Sequence, residues 1–351
     1  MSILVGMAAT DTDRLAAEYS ALIESCGLVD RSERGKLALT GPDAAEFLNG
    51  QVTNDIVSLH AGEGCYAAFL THKGKMLGDL RVLALAGADG LELELDTERV
   101  ALQALFDMIR RFKVGYRVEL HKRTLERSLL SLVGPRAREV IATATNDGAA
   151  RRDGAELGSS EHANACATVA GTPVLLIATE HGVDVLFDAA ALTEVSDALL
   201  SAGAEPVGQA ADEVLRVEQG RPRYGIDLDD ATIPQEAGLN ERAVNFTKGC
   251  YVGQETVARL YYRGKPNRHL RGLQLSGPAA PGDPLSLGER EVGRLGSSVV
   301  SPRWGHIGLA LVRREAEPGS QLLVGEAVSG GQPVSATVRS LPFSDGPSTW
   351  T

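Results

Sequence analysis

Lys248-Gly249-Cys250-Tyr251-Val252-Gly253-Gln254-Glu255 lies within residues 221–268, a stretch without sustained helical or strand periodicity. Arg221-Pro222-Arg223, Thr232-Ile233-Pro234 and Tyr262-Arg263-Gly264-Lys265-Pro266 punctuate it. Long irregular segments inside folded proteins are more often functional than not. The string sets one thiol between two glycines, with Lys248 just before it and Arg259, Arg263, Lys265, Arg268 and Arg271 after it. Positive charge stabilises a thiolate, so Cys250 and Lys248 are candidates for thiol chemistry. A free cysteine also serves as a small hydrophobe in a turn, and the residues alone leave both readings open.

The basic run at 259–271 stands out because the chain of 351 residues carries a net charge of −11. Sequence-independent nucleic-acid binding depends on Lys and Arg meeting phosphates, so direct tRNA binding is not expected. The run, with Tyr261-Tyr262 inside it, suits an anionic ligand such as a polycarboxylate tail, or is a solvated loop. Hydrophobic residues make up 43% and charged residues 23%, ordinary globular usage. This length predicts two or three domains. The four cysteines have no C-x-x-C spacing and no histidine at zinc-finger distance, so neither a zinc site nor a disulfide framework is expected. Reduced thiols fit a reducing compartment. With no signal-like N-terminus and no long apolar window, the expectation is a cytoplasmic protein without a membrane partner.

Working outward, residues 12–25 read as a helix, 36–40 as a strand, and Gly41-Pro42-Asp43 as the start of a helix carrying Ala44, Phe47 and Leu48. A hairpin follows, with strands at 65–71 and 76–85 around His72-Lys73-Gly74-Lys75. Leu91–Leu95 alternates as a strand. Leu102, Leu105, Phe106, Ile109 and Phe112 form one helical stripe. Residues 114–120 read as another strand. From 125 to 205 the order is strand (128–133), helix, a Gly/Asp/Ser-rich loop at 146–163, paired strands (173–179 and 183–187) and helix (189–201). Such order suggests split β-α-β units and not a parallel Rossmann sheet. Residues 210–220 read as a helix. Beyond 269, short apolar runs between Gly/Pro/Ser turns indicate a small β-barrel, and 343–351 reads as a loose tail. The expected modules are 1–124, 125–209, 210–268 (returning to the first) and 269–342.

No G-x-G-x-x-G, Walker A, H-E-x-x-H or G-x-S-x-G pattern is present. Nicotinamide dehydrogenase, P-loop, zinc-peptidase and α/β-hydrolase readings lack support. The string at 248–255 resembles the signature of the YgfZ-type folate-binding proteins and their mitochondrial iron–sulfur assembly relatives. Gly41-Pro42-Asp43-Ala44, Val52-Thr53-Asn54-Asp55-Ile56, Gly62 and Tyr66 follow the N-terminal pattern of the wider superfamily, that of the glycine-cleavage T-protein, an aminomethyltransferase. Leu215-Arg216-x-Glu218-x-Gly220, Tyr224-Gly225-x-Asp227 and Pro234-x-Glu236 follow its central pattern. The resemblance covers roughly residues 20–340.

The resemblance implies an α+β cloverleaf of three modules around a central folate channel, ending in a β-barrel. It implies tetrahydrofolate as ligand and an accessory role in iron–sulfur cluster assembly or repair, with iron–sulfur proteins or their assembly machinery as partners. Iron–sulfur enzymes that modify tRNA would be among those served. The rival reading is a tetrahydrofolate-dependent aminomethyl- or methyltransferase. The T-protein has two adjacent aspartates after its hairpin, one of which contacts folate and assists transfer; here the pair is Gly78-Asp79. Asp79 is therefore a candidate for both catalysis and folate binding, and on its strand it could instead pair with Arg81. The other implied folate contacts are Glu180, Arg216, Tyr224, Glu236, Gln254 and Glu255.

Overall fold

The computed structural model describes residues 2–145, 156–325 and 334–344. The chain divides into two compact units, residues 1–67 with 79–212, and residues 68–78 with 213–351.

The first unit contains a six-stranded sheet. Its order is Glu205–Pro206, Gly27–Asp30, Arg127–Val133, Gly182–Asp188, Thr172–Thr179 and Asn164–Val169. The first pair is parallel and the rest antiparallel. Strand alternation gives the sheet two apolar faces. Leu130, Leu132, Val183, Val185 and Phe187 pack under Val140 and Ile141 of helix Ala137–Thr145 and Val195 and Leu199 of helix Leu192–Ser201. Leu129, Leu175, Ile177 and Leu186 on the opposite face meet Leu83. That leucine belongs to a second sheet, ordered Gly64–Leu70, Met76–Gly87, Gly90–Thr97, Gly35–Thr40 and Glu119–Lys122.

Charges are also buried here. Arg81 of the second sheet pairs with Asp96 at 2.7 Å and with Asp184 of the first sheet at 2.6 Å. The Leu-Glu-Leu-Glu-Leu strand buries Glu94 along with Leu93 and Leu95, and burial pushes the Glu94 carboxyl up to about 7.

The second unit is dominated by a closed barrel of Arg268–Leu275, Gly305–Arg313, Arg290–Ser301, Pro284–Leu287, Gln321–Val324 and Val334–Arg339. Leu273, Leu285, Val292, Val312, Leu322 and Val338 fill its interior. Outside it, Val217, Leu270, Ile307, Leu309 and Phe343 form a further cluster.

Several expectations change. Residues 114–120 are not a strand: only Glu119–Lys122 pairs, against Gly35–Thr40, and Val114 is 83% exposed. The stripe on helix Leu102–Phe112 is narrower than expected, with Leu105 and Ile109 buried and Phe112 47% exposed. The stretch 221–268 is not wholly irregular. It holds the short helix Asn240–Ala243 and the helix Gln254–Arg263. The expected loop at 146–163 lies partly outside the described residues, as do 345–351 of the expected tail. Phe343 is not loose: its N–H donates to Glu218 O at 2.8 Å and its ring packs on Trp304. Among the described residues, no helix is long and apolar enough to cross a membrane.

Candidate functional site

Asp79 lies on the strand Met76–Gly87, just after the hairpin turn at 71–75. It is 4% exposed. Burial pushes its carboxyl up to about 6, against the opposing pull of a hydrogen bond from Tyr66 and the positive charge of Arg34; Glu98 and Asp96 add to the rise. The backbone is pinned as well, since Thr97 Oγ1 donates to Asp79 O at 2.5 Å. The pairing with Arg81 that strand alternation allowed does not form, because Arg81 bonds to Asp96 and Asp184. A buried carboxyl with a near-neutral titration point is the kind of group active sites build.

Tyr66 and Arg34 are the neighbours that a residue-by-residue sequence reading leaves out of the site. Tyr66 is held by its carbonyl, which accepts from Asn54 Nδ2 at 2.8 Å. Arg34 sits in a turn before Gly35 and bonds to Asp96 at 2.5 Å and to Glu98. Membership of Tyr66 in the superfamily's N-terminal pattern is the signal in the sequence that points at it, and the bond from Asn54 ties it to a second residue of that pattern.

The remaining candidates fall in different settings. Glu180 is exposed in the turn between strands Thr172–Thr179 and Gly182–Asp188, with His181 Nε2 at 3.8 Å. All five N–H groups of Arg216 are used inside the protein. Nε and Nη2 bond Glu213 at 2.9 and 2.5 Å, Nη1 bonds Asp227 at 2.8 Å and Arg221 O, and Nη2 also bonds Ser297 Oγ. This arginine is a pin for the second unit, and the expectation that it meets a folate has no free N–H to rest on. Glu236 is buried and grips Arg268, Nη2 to Oε2 at 2.9 Å. Tyr224 is half-buried in a tight turn that bridges it to Leu228.

Gly253 caps the helix Gln254–Arg263 in the left-handed conformation, φ +86°. Gln254 and the exposed Glu255 form that helix's first turn. Cys250 is exposed on the loop before it, and Tyr251 is buried. The Lys248 ammonium lies 5.3 Å from the centroid of the Tyr251 ring, a cation–π contact. Phe246 stacks on Tyr261 with centroids 3.8 Å apart, and Tyr262 meets both edge-on at 66% exposure.

The profile of the GCVT N-terminal domain matches residues 8–248. The chain belongs to the glycine-cleavage T-protein family. A profile of the glycine cleavage T-protein C-terminal barrel domain matches residues 268–345 of this T-protein-family chain. An aminomethyltransferase from Rubrobacter xylanophilus is 32% identical over 94% of the chain and 86% of its own length. A putative chloroplastic transferase from Arabidopsis thaliana is 28% identical over 90% of the chain and 71% of its own length. The solved structure of glycine cleavage system aminomethyltransferase T from Bartonella henselae superposes with a TM-score of 0.79 over 94% of the chain and 90% of its own, at 23% identity. The mixed α and β fold with a closed six-stranded C-terminal barrel is therefore the T-protein fold.

Proposed function

We propose that this T-protein-family chain binds tetrahydrofolate at Asp79 and acts as a folate-dependent one-carbon transferase of the aminomethyltransferase class. The observation that carries the reading is the setting of Asp79: a buried carboxyl pushed up to about 6, bonded to Tyr66 and facing the charge of Arg34. A carboxylate accepts two parallel N–H bonds, the donor pattern of a pterin edge. A group that titrates near neutrality also holds or releases a proton with little cost at working pH. The acceptor and the neighbouring tyrosine fit such a ring. Tetrahydrofolate, when bound, carries the one-carbon unit. Relatives named aminomethyltransferase, similar along nearly the whole chain, support this class over others.

A second reading rests on two specific observations. Gly78 stands where the T-protein pattern has the first of two aspartates, and Cys250 is exposed on the Lys248–Glu255 loop. A folate protein without transfer chemistry but with a working thiol would serve iron–sulfur cluster assembly or repair.

One assay separates the two. Methylene transfer from an aminomethylated carrier to tetrahydrofolate is expected, with loss of turnover in Asp79→Ala. Folate binding without turnover, together with an iron–sulfur enzyme defect in cells that Cys250→Ala fails to rescue, would transfer the conclusion to the accessory reading. Absence of any folate-induced rise in melting temperature would remove both, since a ligand of the native state must stabilise it.

A further inference from the structure

We propose that the Cys250 loop and the strand bearing Asp79 are mechanically joined where Gly253 meets the turn at 71–75, which makes Gly253 and Gly74 positioning residues for Asp79 and couples the reactivity of Cys250 to the state of that strand. The part of this inference that concerns ligand rests on the folate reading above; the mechanical part stands without it.

The joint is built from two glycines in left-handed conformations facing one another. Gly74 has φ +73°, and a Cβ there would lie 2.8 Å from Thr256 Cβ and 3.3 Å from Gly253 O. Gly253 has φ +86°, and a Cβ there would lie 2.6 Å from Thr71 O, 3.1 Å from Gly74 Cα and 3.1 Å from Leu70 Cβ. Each position thus demands glycine twice, for its backbone angle and for its space. Backbone carbonyl and Cα atoms cannot swing aside as a flexible side chain would, so the two segments are in fixed register.

The turn is gripped from its other side too. Met76 N donates to Thr232 O at 2.9 Å, and Lys75 Nζ reaches Ala231 O at 2.5 Å. Within the turn, Thr71 N donates to Lys75 O at 2.8 Å and Gly74 N to Thr71 O at 2.9 Å. The hairpin tip therefore sits between the 229–232 turn and the start of helix Gln254–Arg263, and residues 68–78 group with the second unit for this reason.

Both chemical groups lie one short step from the joint. Asp79 follows Met76 by three residues on one strand, about 10 Å at the usual strand rise. Cys250 precedes Gly253 by three residues, in a turn closed by the buried Tyr251, whose carbonyl accepts from Gln254 N at 3.2 Å. The geometry accounts for the Gly at 253 in the Lys248–Glu255 string without assigning it any chemistry. Coupling of this kind is reciprocal. A ligand that settles the Asp79 strand must alter the Cys250 loop, and a change in the loop must alter the ligand's affinity.

The test follows the iodoacetamide alkylation rate of Cys250 by peptide mass mapping, with the exposed Cys166 as internal reference. Without ligand, Gly74→Val is expected to change the Cys250 rate about fivefold and leave Cys166 unmoved; an unchanged Cys250 rate overturns the proposal. If that variant fails to fold, Lys75→Ala, which removes only the grip on Ala231, takes its place with a smaller expected change in the same rate. Tetrahydrofolate added to the unmodified protein is expected to change the Cys250 rate, and Gly253→Ala to weaken folate binding about tenfold and shift the pH midpoint of that binding. A purely structural role would lower the melting temperature and leave the pH midpoint in place. Folate binding with an unchanged Cys250 rate would overturn the coupling and spare the folate reading. No folate binding, with the Gly74→Val effect intact, would sink the folate reading and support the mechanical joint.

Discussion

Arg81 and Asp184 come from strands of two different sheets and meet at 2.6 Å inside the first unit. The same guanidinium reaches Asp96 at 2.7 Å, and Ser131 Oγ donates to Asp184 at 2.6 Å. Burial pushes both carboxyls up. The charges of Arg34 and Arg81 outweigh it at Asp96, those of Arg81 and Arg31 at Asp184, and both end below the usual range. The two sheets are thus riveted by one charged side chain.

Removing that rivet is expected to be severe. Arg81→Leu leaves two buried carboxylates short of a partner, which costs about 3–5 kcal/mol. Urea unfolding measures this, and a loss under about 1 kcal/mol would show that the network relaxes to other partners. Arg81→Lys keeps the charge but loses the fork, so an intermediate loss is expected.

Asp79 gives a pH signature of opposite sign to an ordinary paired carboxylate. Its folded value is about 6, above the unfolded value, so the native state holds the extra proton between about 4 and 6. Its contribution to stability is full below the unfolded value and is lost as pH rises through about 6. A shift of this size corresponds to about 3 kcal/mol. Asp79→Asn is expected to flatten the stability profile by that amount relative to the unmodified protein. Glu94 titrates in a neighbouring window, so the difference between the two proteins is the quantity to read. Folate affinity should run the other way, falling as pH drops below about 6 and the acceptor is protonated.

Arg216 tests whether a pattern-matched arginine is a ligand or a pin. Its guanidinium holds Glu213, Asp227 and Ser297. Arg216→Lys is expected to cost about 2–4 kcal/mol while leaving folate affinity within about twofold, because breaking a buried charge network is costly wherever it lies. A large loss of folate affinity at unchanged stability would return Arg216 to the binding site. Calorimetry and denaturant melts on one preparation decide it.

Phe343 anchors the end of the described chain. Its ring packs beside Trp304 and Leu341, and a Cβ at Gly272 would lie 2.8 Å from it. Phe343→Ala is expected to cost about 3 kcal/mol through transfer and cavity terms. Truncation before residue 343 should lower the melting temperature by a comparable margin.

Much of this fold is legible from local pattern. The barrel strands at 268–275 and 305–313 show as short apolar runs between turns, the one at 334–339 alternates apolar and polar residues, and the Thr172–Thr179 and Gly182–Asp188 hairpin frames a Glu-His-Gly turn. The missed strands lack that alternation. Gly27–Asp30 is four residues long, and Asn164–Val169 is a sheet edge whose Cys166 is exposed. The helix Gln254–Arg263 hides because Val257 alone is fully buried on it, so no apolar stripe marks it; its start is set by Gly253 packing on Thr71. The stretch 114–120 misleads in the opposite way: its apolar alternation begins at the exposed Val114, but pairing against Gly35–Thr40 starts only at Glu119.

By itself, then, the sequence determined the mixed α and β class, the C-terminal barrel and the superfamily, because periodicity and local motif are carried by near neighbours. Tertiary structure alone decided that Arg216 is a pin, that Asp79 answers to Tyr66 and Arg34 and not to Arg81, that Glu94 is buried, and that Gly253 is pressed against a turn about 180 residues away. Those outcomes depend on which distant groups share a desolvated space, and the strength of a charge or the need for a glycine is set by that space and not by the residues beside it in the chain.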